Sequence, residues 1–175
     1  MPALLSDHIE VYVFRRRRGR TQFLALRRAR DRALPGVWQP VTGRRHRGET
    51  AFDAARREVR EETGLAPRRW WALETLTLYF DPQRDAVVAL PLFAAEVGAT
   101  GRVTLSAEHE SGRFLSASEA QRLFLWRAQH RGLEAVRDQI LAGGSLADAL
   151  AIAAPTSRPR SRPRAKGRTI SPRRS

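Results

Sequence analysis

The stretch that decides the fold is Gly43 to Leu65, GRRHRGETAFDAARREVREETGL. Thr50 and Asp53 make a T-x-x-D start of the capping-box type, alanines follow, and Gly64 stands where helices end. The pattern predicts a helix over about 51 to 63. At roughly 100° per residue, Phe52, Ala55, Val59 and Thr63 form one stripe, and Glu58, Glu61 and Glu62 fill a wedge about 100° wide beside it. One face packs, and the neighbouring edge carries three carboxylates. Carboxylates that close repel one another. Hard cations between them make the arrangement favourable, because Mg²⁺ takes oxygen ligands and tolerates several waters. Such a cradle suits phosphoryl chemistry, in which phosphate charge is neutralised and water attacks in line.

The competing reading of R-E-V-R-E-E is a solvated helix face of Arg and Glu pairs. The longer spacing speaks against it. Gly43, Glu49, Arg57, Glu58, Glu61, Glu62 and Gly64 stand at the intervals G-x5-E-x7-R-E-U-x-E-E-x-G-U, with apolar Val59 and Leu65 at U. Seven such identities arise by chance in about one sequence in a million of this composition. On these residues the chain resembles the Nudix hydrolases, which cleave nucleoside diphosphates linked to another moiety using divalent metal.

The resemblance covers roughly residues 8 to 142 and implies an α/β fold, an α/β/α sandwich around a mixed sheet. It implies Glu58 and Glu62 as principal metal ligands with the Gly43 carbonyl nearby, and Glu61 as either a further ligand or the base that takes a proton from attacking water. The resemblance also implies that Glu49 pairs with Arg57 and that the pair orients the Glu trio. Mg²⁺ is the expected cofactor, with Mn²⁺ as a substitute.

Upstream of the box, His8 to Phe14 alternates and Gln22 to Leu26 resumes apolar character, predicting a hairpin with Gly19 in its turn. Arg27 and Arg28 end the second strand, on the edge that faces the substrate cleft in the family; one of them is expected to reach a polyphosphate oxygen. Trp38 either stacks on a base or fills the core. The wording W-Q-x-V-T-G, where many Nudix enzymes carry Pro-Gly-Gly or Pro-Lys-Gly, resembles the branch acting on dATP and on dihydroneopterin triphosphate.

Downstream, Trp70 to Phe80 and Ala86 to Val97 are long apolar runs separated by the turn DPQRD, and read as paired strands. Trp71, Tyr79 and Phe80 are candidates for ring stacking or for core. Pro91 predicts a bulge or an edge position. Glu108-His109 followed by Arg113-Phe114-Leu115 is similar to the family's acid-His segment, which makes Glu108 a candidate for an additional metal ligand or base. Ser116 to Glu119 is a capping box opening a helix to about Arg127, residues 129 to 141 read as another helix, and Ser145 to Ala154 as a short apolar turn.

The 175 residues suffice for one domain with one core, taken as residues 1 to 154. Of the formal charge of +14, the seven Arg and one Lys of residues 155 to 175 hold +8, leaving +6 for the rest. That Arg/Pro/Ser-rich segment has too little apolar surface to offset its ordering entropy and is expected to be a disordered basic tail. Its charge favours non-specific nucleic-acid contact, without the aromatic residues that base stacking needs. The absence of cysteine excludes disulfides and thiolate metal sites. No run approaches the length of a membrane span or a signal peptide, so a cytoplasmic protein with no membrane partner is expected.

The expected activity is therefore a pyrophosphohydrolase converting a small nucleoside or pterin triphosphate to monophosphate and pyrophosphate. The alternative is an RNA-directed Nudix protein, either a 5′-triphosphate pyrophosphohydrolase or a binding module, using the basic tail.

Overall fold

The computed structural model describes residues 1–153. The predicted segment 155 to 175 lies outside the described residues.

The helix α1 spans Ala51–Thr63, as its caps demand: the Thr50 hydroxyl accepts the Asp53 amide at 3.1 Å, and Gly64 closes the helix at φ 66° in the left-handed region that glycine adopts without strain. The predicted hairpin is β2 (His8–Arg17) and β3 (Arg20–Arg28), turning through Gly19 at φ 71°. A short β1 (Ala3–Leu5), which the N-terminal sequence did not announce, precedes it. The short strands β4 (Trp38–Gln39) and β5 (Val41–Arg44) lead into the box. The two long apolar runs are β6 (Arg69–Asp81) and β7 (Ala86–Val97), paired antiparallel.

The path β4-β3-β2-β7-β6 forms the spine of one mixed sheet. One edge of β2 pairs parallel with β7; the other pairs with β5 over His8 to Val11 and with β3 from Phe14 to Arg17. The hairpin therefore splays apart midway, and β5 fills the gap and delivers the box loop beside the end of β3.

Pro91 sits in a central strand, not at an edge. Its missing N–H is tolerated because β1 covers β7 only over Ala86 to Val88 and β2 only from Leu92, while β6 shifts register opposite it, between Ala72 and Leu76.

Two apolar clusters, one on each face, make the sandwich. On one, Ala54, Ala55 and Val59 of α1 pack on Ile9, Val11 and Val13 of β2. On the other, Tyr12 and Phe14 meet Leu133, Val136 and Ile140. Those residues belong to α3 (Arg127–Ala135) and to a π-helical turn, Val136–Leu141, that ends it. Contact here is close enough that a Cβ on Gly132 would stand 2.0 Å from the Tyr12 hydroxyl oxygen.

The C-terminal third departs from the sequence expectations in detail. The Ser116-capped helix α2 stops at Leu123 (Ala117–Leu123), and α3 starts at Arg127, two residues before the predicted position. The strand β8 begins at His109 (His109–Leu115) and pairs with β3. Ser145 to Ala154, expected as a turn, contains α4 (Ser145–Leu150) and β9 (Ala151–Ile152), which pairs with Trp70 and Trp71. Among the described residues no helix is long and apolar enough to cross a membrane.

Candidate active site

Arg57 organises the site from the exposed edge of α1. Its Nε and Nη2 donate to the two Glu49 carboxylate oxygens at 2.9 and 3.0 Å, a bidentate pairing. Its Nη1 donates to Glu58 Oε1 at 2.8 Å and Glu61 Oε2 at 3.0 Å, and Nη2 also reaches the Arg44 carbonyl at 2.8 Å. One guanidinium thus ties the box loop, β5 and two of the three helix carboxylates together. Glu49 additionally accepts the His46 amide, and the Arg57 pairing pulls its carboxyl down to about 2.

The three helix acids differ in environment. Glu61 is mostly exposed, Glu58 largely covered, and Glu62 buried. Burial raises the Glu58 carboxyl, and burial together with the charges of Glu58 and Glu108 pushes Glu62 up to about 9. The Glu62 Oε2 atom is buried with no hydrogen-bond partner. Gly43 lies against this group: a Cβ there would come within 2.1 Å of Glu58 Cγ, so only a residue without a side chain lets the β5 backbone approach the carboxylates.

Glu108 and Glu110 are separated by the structure. Between Arg27 and Arg28 the β3–β8 register shifts, and the Ala29 amide donates to the Glu108 carbonyl at 2.9 Å. Glu108 then belongs to the electrostatic surroundings of both Glu58 and Glu62. Glu110 pairs instead with Arg27 at 3.1 Å and Arg30 at 3.8 Å.

The same shift divides the two arginines. Arg28 partly offsets the upward push on Glu62 and, after burial, adds to the lowering of His109, whereas Arg27 is held by Glu110 and the Gly36 carbonyl. Arg28 Nε is itself anchored on the Ala33 carbonyl at 2.6 Å.

The aromatic candidates lie elsewhere. Trp38 is half-buried against the α3-side cluster, with Arg113 5.5 Å from its ring centre. Trp71 is fully buried, 5.8 Å from Phe14 between ring centres, and is a core residue with no face for a ligand. Tyr79 is exposed, and its charged neighbours are Asp81, Arg84 and Asp7 rather than the box acids.

Sequence reasoning passed over two groups. His109 was read only as part of a pattern; it is buried beside Arg28 and Glu108 with neither ring nitrogen hydrogen-bonded. Glu10 is buried on β2 and hydrogen-bonds with the Tyr12 hydroxyl, which also lies 3.2 Å from the Gln129 carbonyl. An acid inside the run HIEVYVF was the available signal, since a strand covered on both faces has no solvent side for it.

Among the described residues no three His, Asp or Glu side chains already converge as a cation cage. The donor set nonetheless fits a divalent, oxygen-seeking ion: the partnerless Glu62 oxygen, the like-charged Glu58 and Glu108 around it, and the side-chain-free approach of Gly43. A groove of about 860 Å³ runs along the outer side of α1, sharing Arg57 and Glu61 with the acids and adding Arg56, Arg60 and Trp70.

Comparison with known proteins agrees with this geometry. The NUDIX domain family matches residues 7–136. No protein of curated function matches the chain in sequence. Among solved structures, a NUDIX hydrolase from Listeria monocytogenes is 26% identical with a TM-score of 0.66, over 77% of this chain and 94% of that one. Two others share the fold at lower identity. The dihydroneopterin triphosphate pyrophosphohydrolase of E. coli is 22% identical (TM-score 0.59, 74% of this chain, 95% of that one). An Ap4A hydrolase of C. elegans is 20% identical (TM-score 0.64, 74% of this chain, 93% of that one). With the box, the fold and the family match in agreement, the chain is a member of the Nudix hydrolase family.

Proposed function

We propose that this Nudix hydrolase is a Mg²⁺-dependent pyrophosphohydrolase that converts a nucleoside or pterin triphosphate to the monophosphate and pyrophosphate. The observation that carries the reading is the buried, partnerless Glu62 oxygen facing the charges of Glu58 and Glu108. Three carboxylates so placed are costly unless they serve a cation. Glu58, Glu62, Glu61 and Glu108, with the Gly43 carbonyl, would hold the metal, Mg²⁺ or Mn²⁺. When bound, it supplies charge neutralisation at the phosphates and activation of water.

The chain's own residues do the rest. Arg57 locks Glu49 and presents Glu58 and Glu61 in fixed orientations, so the acids need not reorganise when the phosphates arrive. Glu61, the most exposed of the trio, is either a ligand or the group that accepts the proton of the attacking water. Arg28 adds a positive charge beside Glu62, where a phosphate oxygen is to be bound. Arg27 is engaged with Glu110 and is the weaker candidate of the two.

Support for a triphosphate comes from the wording W-Q-x-V-T-G and from structural likeness to a dihydroneopterin triphosphate pyrophosphohydrolase; the likeness to an Ap4A hydrolase keeps dinucleoside polyphosphates in the test. The eight charges of residues 155 to 175 favour a second reading, action on triphosphate-ended RNA. A panel with Mg²⁺ separates them: nucleoside triphosphates, dihydroneopterin triphosphate, dinucleoside polyphosphates and triphosphate-ended RNA, with products resolved as phosphate or pyrophosphate. Pyrophosphate release from a small triphosphate is expected. Turnover confined to RNA would favour the second reading, and phosphate as the released product would refute the proposed bond.

A further inference from the structure

The β6–β7 hairpin carries a face that nothing in the described structure covers. On β6, Leu76, Leu78 and Phe80 alternate onto one side and are 55%, 60% and 52% exposed. Pairing extends that side across the sheet: Phe80 lies opposite Val87, which on its other edge pairs with Leu4 of β1, itself 73% exposed. Leu78 and Leu76 lie opposite Ala89 and Pro91. The result is a three-stranded apolar strip without one charged or hydrogen-bonding side chain.

The strip continues the α1 face of the sheet. Phe93, Ala95 and Val97, further along β7 with the same alternation, are buried in the cluster under α1. The hairpin runs on past the region α1 covers, so the core surface continues into solvent.

With about 200 Å² for a whole leucine or phenylalanine, the four exposed side chains present roughly 500 Å² of apolar surface, at the upper end for a monomer. Two copies would bury about 1,000 Å², the lower bound for a specific interface.

We propose that the strip is a homodimer interface, packed face to face against the same strip of a second copy across a two-fold axis. A charge-free, apolar patch is self-complementary, as an isologous contact requires, and it offers no polar group by which a different protein would be recognised. The contact also leaves the molecule's excess positive charge outside it, where repulsion is weakest.

The chain's own C-terminal segment is the wrong chemistry for the strip, since residues 155 to 175 are mostly Arg, Pro and Ser, with Ile170 as the one large apolar residue. An anionic lipid surface is disfavoured by Asp81 and Asp85 at the hairpin tip, where the single cation, Arg84, is already bonded to Asp7 at 2.7 Å. Beyond Gln139, which accepts the Glu74 amide, β6 pairs with no strand on its outer edge among the described residues, leaving backbone groups at the rim of the contact.

The test is the mass of the full chain in solution by sedimentation equilibrium up to about 100 µM, a range that captures micromolar association. Twice the chain mass is expected. The pair Leu78→Glu with Phe80→Glu should raise the dissociation constant at least about a hundredfold. The pair Leu78→Thr with Phe80→Thr keeps strand propensity and should weaken the dimer in the same direction, with unchanged circular dichroism showing that the fold persists. A monomer at 100 µM overturns the proposal, as does a dimer indifferent to both pairs. Leu78-dependent pelleting of a monomeric wild type with phosphatidylserine vesicles would assign the strip to lipid and overturn it too.

Discussion

At Glu62 two demands conflict, because the residue must be buried to sit among the other acids and burial penalises its charge. Its carboxyl, pushed up to about 9, binds a proton more tightly in the folded chain than in the unfolded one, where the ordinary value is 4.5. The stability this contributes is complete below pH 4.5 and is lost as pH rises towards 9. Glu62→Gln removes the loss. In metal-free buffer the variant should therefore melt several degrees above wild type at pH 9 and close to it at pH 4.5. A gap that does not change with pH would show that burial of the carboxylate is not the cause.

In turnover the order reverses: Glu58→Gln and Glu62→Gln should each lose more than about a hundredfold with Mg²⁺ while circular dichroism stays unchanged. Near-wild-type turnover in either would remove that carboxylate from the metal site. Glu108→Ala should cost at least about tenfold in rate or in the Mg²⁺ concentration for half-maximal rate, and Glu110→Ala little, because Glu110 is occupied by Arg27 and Arg30. The opposite ranking would move the outer ligand to Glu110.

Among the elements, the join of β5 to α1 concentrates the site. α1 was readable because everything that makes it a helix is local: a cap at Thr50, a stop at Gly64 and a continuous apolar stripe between them. What the helix is for depends on its approach to β5, which is not local. Gly43→Ala tests that approach directly. The added methyl must displace Glu58, so turnover should fall at least about tenfold while melting temperature changes by no more than a few degrees, since Glu58 belongs to neither apolar cluster. Wild-type activity in Gly43→Ala would mean that Glu58 can serve from another position.

For the whole molecule, charge is divided unequally. Residues 155 to 175 hold +8 of the +14, and the carboxylate site is built within residues 43 to 108. Deleting 155 to 175 should leave turnover on small triphosphates nearly unchanged, and should weaken retention on nucleic acid with a flatter dependence on salt. A large loss of small-substrate turnover after truncation would make the segment part of the active site.

The chain's local patterns determined the box helix to its end residues, the β2–β3 hairpin, the pairing of the two long strands and the mixed α/β class, because caps, turns and hydrophobic period act over a few residues. The tertiary structure decided what local patterns leave equal. Glu108 and Glu110 are two apart in sequence and Arg27 and Arg28 are adjacent; with the register shift at the end of β3, Glu108 and Arg28 act electrostatically on Glu62, while Glu110 and Arg27 pair with each other. The apolar run of β6 likewise reads as core from end to end, yet on the α1 face Trp70 and Ala72 are packed against the cluster while Leu76, Leu78 and Phe80 are exposed. Periodicity says that a strand has an apolar face; only the position of α1, which stops short of the hairpin, says which part of that face is covered.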